Sequence, residues 1–209
     1  MSVRLGIAVL FVLTLVASLA AQDEKNEVGG AVGRTFIATQ GIQGATFFDP
    51  NIRYGRGWDI EGYYARRFLI TPVLSFSGEV PLVFNFRELV HAGGPGLTPG
   101  EYKELFLTPS LRVNLFPTTA VSPWGSIGGG FGHISEGSTL LYGAPNTGSN
   151  TTSGVLQYGA GLDVKFTKRL VLRLEGRDFR AGEPDFPQAP TGKTRQSNYY
   201  VGLGAFWRF

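Results

Sequence analysis

Between residues 170 and 177 the chain alternates strictly, with Leu170, Leu172 and Leu174 on one parity and Val171, Arg173, Glu175 and Arg177 on the other. Successive side chains of a strand point to opposite faces, so this stretch has one apolar face and one charged face. The end of the chain repeats the pattern: Tyr199, Val201, Leu203, Ala205, Trp207 and Phe209 make an apolar row, and Asn198, Tyr200, Gly202, Gly204, Phe206 and Arg208 a mixed one. Alternating segments also cover 58–67, 74–84, 105–116 and 155–166. Pro81 removes one ladder hydrogen bond from the third of the predicted strands. Two glycine-rich segments, 27–37 and 123–134, complete a set of eight. In the first, Val28, Val32 and Phe36 share a face with Arg34, which predicts a bulge or an early end near Arg34. In the second, Gly128-Gly129-Gly130 blurs the facing, and Ile127 and Phe131 are placed outward.

The connections alternate in length. Short ones fall at 68–72, 117–122 and 167–169; long ones, rich in Gly, Pro, Asn and Asp, fall at 39–57, 87–104, 136–154 and 181–197. Every short turn then lies at one end of the strands and every long loop at the other. This rhythm predicts an all-β, eight-stranded antiparallel up-and-down transmembrane β-barrel, with lipid outside and side chains filling the lumen.

The charges choose the inward face. A basic side chain facing lipid at mid-membrane costs about 2–4 kcal/mol, so the row holding Arg173, Glu175 and Arg177 must point into the lumen. The same rule places Asp59, Glu61, Glu79 and Asp163 inside, together with Arg112, Lys165 and Arg208. Buried charges are tolerated when paired, so a packed, ion-paired interior is expected rather than an open channel. Gly159, Gly161, Gly202 and Gly204 are expected to leave room for the long charged side chains.

Composition narrows the function. The 209 residues suit one domain; 30 glycines and 13% aromatic residues fit a β protein with many turns. The net charge of +3 is spread along the chain, so no nucleic-acid footprint is expected. Cysteine is absent, which excludes disulfides, thiol catalysis and cysteine metal sites. His91 and His133 stand far apart, and no metal or other cofactor is expected. At the N-terminus, Arg4, the apolar run 5–16 and the small residues around Ser18, Ala20 and Ala21 predict a cleaved secretory signal peptide at 1–21, leaving 22–209 as the barrel domain. No later segment has the ~18 apolar residues of a membrane helix, so a membrane form must span with strands.

With Phe209 preceded by Trp207, Ala205, Leu203 and Val201, the chain resembles the small eight-stranded bacterial outer-membrane barrels of the OmpA/OmpX/OmpW type. The resemblance implies residence in the bacterial outer membrane after export, and Phe209 as the signal read by the outer-membrane assembly machinery. A structural or surface-interaction role through four long external loops is expected, with outer-membrane lipids and lipopolysaccharide as partners and a monomer as the oligomeric state. Phe47-Phe48-Asp49-Pro50 and Leu140-Leu141-Tyr142 are the candidate loop contacts. The alternative is a narrow pore or transporter for small or hydrophobic solutes. A third reading comes from His133-Ile134-Ser135, similar to the His-x-Ser arrangement of outer-membrane lipid A deacylases. Base and nucleophile would share a strand face there. Glu136, however, falls on the opposite parity, and the expectation is no enzyme.

Overall fold

The computed structural model describes residues 25–44, 50–55, 57–92 and 97–209. The predicted signal peptide at 1–21 and the loop residues Phe47-Phe48-Asp49 lie outside the described residues. Strands are β1 (Asn26–Ile37), β2 (Gln40–Gly41), β3 (Asn51–Tyr54), β4 (Trp58–Ile70), β5 (Leu74–Ala92), β6 (Glu101–Leu107), β7 (Ser110–Leu115), β8 (Val121–Glu136), β9 (Thr151–Lys165), β10 (Leu170–Ala181) and β11 (Gln196–Arg208). All pairings are antiparallel, and β1 bonds to both β4 and β11, which closes the ring.

Strands β6 and β7 act as one wall strand. They keep a common register against β5, with Leu82 opposite Leu107 and Glu79 opposite Ser110. The break between them falls at Thr108 and Pro109, where Pro81 and Pro109 lack an N–H. The carbonyls remain in use: Thr108 N–H donates to Pro81 O at 3.3 Å and Gly129 N–H to Pro109 O at 3.1 Å. Eight wall strands result, as the alternation predicts.

One row of the ladder shows how the ring is sheared. From Trp58 it passes through Arg34, Val201, Gly176, Ala160, Gly125, Val113 and Phe76, and returns to β4 at Leu69. The start and finish are eleven positions apart on the same strand, one of them contributed by a bulge between Arg67 and Leu69. Such a stagger goes with tilted strands and a lumen just wide enough for side chains.

The outer wall is apolar on every strand. Val32, Ile60, Leu82, Leu111, Ile127, Leu162, Leu174 and Leu203 are all exposed. An apolar surface that runs round the whole barrel is far beyond what a water-soluble monomer presents, and it reads as a lipid-facing belt. Aromatics edge it: Phe68, Phe116, Phe166 and Trp207 toward the turns, and Trp58, Phe131, Tyr158 and Tyr199 toward the loops. Ile127 and Phe131 point outward, as expected.

Several boundaries differ from expectation. β1 pairs with β11 without interruption from Glu27 to Ile37, so no bulge occurs at Arg34. Arg34 faces out at the belt's edge instead, its guanidinium 4.4 Å from the centre of the Trp58 ring. Phe68, Leu69 and Ile70 belong to β4 rather than to a turn; the bulge lets the strand run on. The region expected as a loop from 87 to 104 is largely strand. β5 continues to Ala92 after a second bulge between Asn85 and Glu88, and β6 begins at Glu101. Beyond the wall, β5 pairs with β3, and β2 pairs with β3, so the first long loop folds into a short sheet at the barrel's mouth.

Candidate functional site

The lumen is the densest chemistry in the molecule. Near the turn end, inward Glu27 meets Arg208 at 2.9 Å and Arg67 at 3.6 Å, and also pairs with Arg112. Arg112 reaches on to Glu79 at 3.3 Å. Arg173 holds Asp163 through Nε and Nη2, at 2.8 and 3.0 Å. Arg177 lies 2.9 Å from both Glu79 and Glu175 and 3.4 Å from Glu61. Five carboxylates and five guanidinium groups thus form one connected ladder, each neutralising its neighbours where water is excluded.

Eight of the ten residues expected in the interior network take part in it: Glu61, Glu79, Asp163, Glu175, Arg112, Arg173, Arg177 and Arg208. Asp59 faces inward but sits nearer the loops, accepting a hydrogen bond from Thr35 Oγ1 at 3.0 Å. Lys165 is inward and half-buried at the turn end. Glu27 and Arg67 were not anticipated. Glu27 opens its strand, and Arg67 follows a second arginine that hides the alternation; both signals were present as parity but at segment ends.

Trp124 was also missed, beside Pro123 and ahead of the glycine run. Its ring lies under two cations, with Arg173 at 4.7 Å and Arg177 at 5.3 Å, while Tyr63 and Phe206 cover other sides of Arg173 at 4.8 and 4.3 Å. Of the four glycines expected to give space to the charges, Gly161 and Gly202 give it to aromatics, Gly159 borders Ser126 and Gln157, and Gly204 lies against the backbone of β1. A Cβ on Gly161 would stand 2.7 Å from the Trp124 ring, and one on Gly202 would meet the Tyr200 hydroxyl at 2.2 Å.

Above the ladder the filling becomes apolar and then polar. Phe106 and Phe179 stack at 4.8 Å with planes 2° apart, packed with Val83, Val155 and Tyr200. Next come Glu88, which accepts from the Gly57 N–H at 2.8 Å, and a chain of amides in which Gln40 donates to Gln196 and Gln196 to Asn198, each at 2.7 Å. The mouth is closed by Ile52, Val90, Tyr102, Ile134, Phe186 and Ala189, gathered from β3, β5, β6, β8 and the last loop. The loop backbones are tied across it, with Gln43 N–H donating to Pro190 O at 2.7 Å.

His133 and Ser135 lie on the outward face of β8, but each has its own partner. His133 Nδ1 is 2.7 Å from Thr152 Oγ1, and Ser135 Oγ donates to Asn150 Oδ1 at 3.3 Å. Glu136 turns the other way and accepts from Asn146 Nδ2 at 2.9 Å. The three are not assembled into a relay. On the third long loop, Leu140 is buried while Leu141 and Tyr142 are exposed at a tight turn, where Gly143 supplies a φ of 93°.

No protein-family model and no curated protein sequence matches this chain. Solved structures do. Neisserial surface protein A is similar over 88% of this chain and 97% of its own, at 13% identity and a TM-score of 0.53. Ail, the attachment invasion locus protein of Yersinia pestis, solved with the heparin analogue sucrose octasulfate, is similar over 88% and 98%, at 14% identity and a TM-score of 0.52. The outer membrane protein OprG of Pseudomonas aeruginosa is similar over 88% and 96%, at 10% identity and a TM-score of 0.52. The fold is that of the small outer-membrane β-barrels.

Proposed function

We propose that this protein is an integral bacterial outer-membrane barrel, exported with removal of residues 1–21, whose lumen is a plug and whose long loops form its working surface. The observation that carries this reading is the continuous filling of the lumen, from Arg208 at the turn end to the apolar cap over the mouth. A solute would have to break a desolvated ion-pair ladder, separate Phe106 from Phe179 and lift the cap. Transport is therefore disfavoured, and the role is structural or surface-interacting. The turn end faces the periplasm and the loops face outward, the usual sidedness of such barrels. Neisserial surface protein A and Ail, a surface protein and an attachment protein by name, support this reading by analogy of fold. Phe209 serves as the assembly signal, outer-membrane lipids surround the belt, and the barrel is a monomer without catalytic activity.

Planar-bilayer recording of the refolded protein tests the plug: the expected result is no unitary conductance, and stable channels would refute it. Cells displaying the protein with residues 138–148 replaced by a short Gly-Ser turn test the loop surface. Loss of adhesion to host cells or matrix is expected, with the folded barrel retained; unchanged adhesion for every such loop replacement would leave only the structural role.

A further inference from the structure

The outer wall over β9, β10 and β11 changes character in steps toward the loops. Its registers align Leu162, Leu174 and Leu203 in one row and Ala160, Gly176 and Val201 in the next. Tyr158, Asp178 and Tyr199 follow, and then Leu156, Arg180 and Ser197. The small row leaves a trough: adjoining grooves of about 440 and 380 Å³ share Ala160, Gly176 and Val201. Just beyond the tyrosines a third groove, of about 480 Å³, is walled by Gly130, Gly154, Val155 and Leu156 and rimmed by Arg180 and Arg195.

The two arginines are poised for an anion. Arg180 Nε donates to Asp178 Oδ2 at 3.1 Å, which orients the guanidinium and leaves its terminal amino groups available. Arg195 is exposed and has no hydrogen bond or ion pair among the described residues. Asp178 offsets one of the two cations, so the rim remains net positive. Guanidinium groups match phosphate oxygens in forked geometry.

We propose that this strip docks one lipopolysaccharide molecule. A lipid A phosphate sits between Arg180 and Arg195, the sugar rests against Tyr158 and Tyr199, and one acyl chain lies in the trough over Gly176. The order of rows matches the order of the lipid: cationic, amphipathic aromatic, small, then leucine. A second copy of the barrel pressing the same strip in a two-fold contact would set arginine against arginine. Placement in the outer leaflet, and hence lipopolysaccharide rather than phospholipid, rests on the outer-membrane reading above.

The test uses the barrel domain refolded into phosphatidylethanolamine vesicles that carry lipid A or, in a parallel arm, phosphatidylglycerol at equal phosphate content. Lipid retained after gentle detergent extraction is counted by native mass spectrometry. The wild type should keep one lipid A per barrel, and an R180Q/R195Q protein should bind it on the order of tenfold more weakly. A Cβ on Gly176 would come no nearer than 3.8 Å to any atom, so Gly176→Leu should fill the trough, reduce retention and leave the heat-shifted folded band intact. Equal retention of phosphatidylglycerol, or unchanged lipid A in both variants, would overturn the proposal. So would a dimer that Gly176→Leu disrupts, in favour of a second copy as occupant. A protein that never inserts into vesicles would instead strike the outer-membrane reading, and this inference would fall with it.

Discussion

Replacing Glu79 by glutamine tests the interior most directly. The carboxylate is fully buried and central to the ladder: Arg177 Nη1 stands 2.9 Å away, Arg112 Nη1 3.3 Å and Arg173 Nη1 3.9 Å, and Ser110 Oγ donates at 3.0 Å. Glutamine has nearly the same shape, so packing is kept while one negative charge leaves a cluster of balanced charges. Four carboxylates then face five guanidinium groups. Removing one partner from a buried pair typically costs about 3–5 kcal/mol. The exposed Arg87–Glu101 pair, whose side chains are 66% and 42% accessible, is the control; Glu101→Gln should cost under about 1 kcal/mol. Urea titration of the barrel in lipid vesicles, followed by tryptophan fluorescence and by heat-dependent gel mobility, reads both variants. A clearly lowered midpoint for Glu79→Gln, with Glu101→Gln near wild type, is expected. Equal midpoints would mean that water screens the lumen, and the plug would have to be abandoned.

Trp124→Ala removes the ring beneath Arg173 and Arg177 and leaves a void beside Gly161; about 3–5 kcal/mol of destabilisation in the same titration is expected. Gly130 and Gly154 form a matched pair. A Cβ at Gly130 would stand 1.9 Å from the Leu107 carbonyl oxygen, whereas one at Gly154 meets nothing within 4 Å. Gly130→Ala should therefore cost at least about 1–3 kcal/mol, and Gly154→Ala should be silent when refolding yields are compared on gels. Phe209→Ala keeps the main-chain bonds to Asn26 and should refold in vitro nearly as wild type. In cells its surface level should fall several-fold by immunoblot of outer-membrane fractions, and an unchanged level would deny Phe209 a signalling role.

The wall was legible in the sequence because one rule governs it: an inward charge and an outward leucine cannot exchange places without a cost of several kcal/mol. Arg173, Glu175 and Arg177 therefore announce their facing without any structure. Legibility fails where two rules compete. Arg34 breaks the apolar row but sits at the edge of the belt, where stacking on Trp58 replaces the need for a bulge. The upper half of β5 was obscured by the shift between Asn85 and Glu88, which inverts parity in mid-strand. The cap was invisible for another reason. Ile52, Ile134 and Phe186 come together through loops far apart in sequence, and no local period marks such contacts.

The closing seam has a consequence for how the molecule comes into being. Each wall strand except the first and last meets its neighbours through nearby chain, but β1 finds β11 across the whole barrel domain, and Asn26 and Phe209 exchange two main-chain hydrogen bonds of 2.9 Å at its foot. Bringing such distant segments together carries the largest loop-closure entropy in the fold. Until it happens the nascent sheet has two bare edges, each a template for any passing strand. Until β1 and β11 pair, the sheet is an open, adhesive ribbon, and it becomes self-contained when β11 docks against β1.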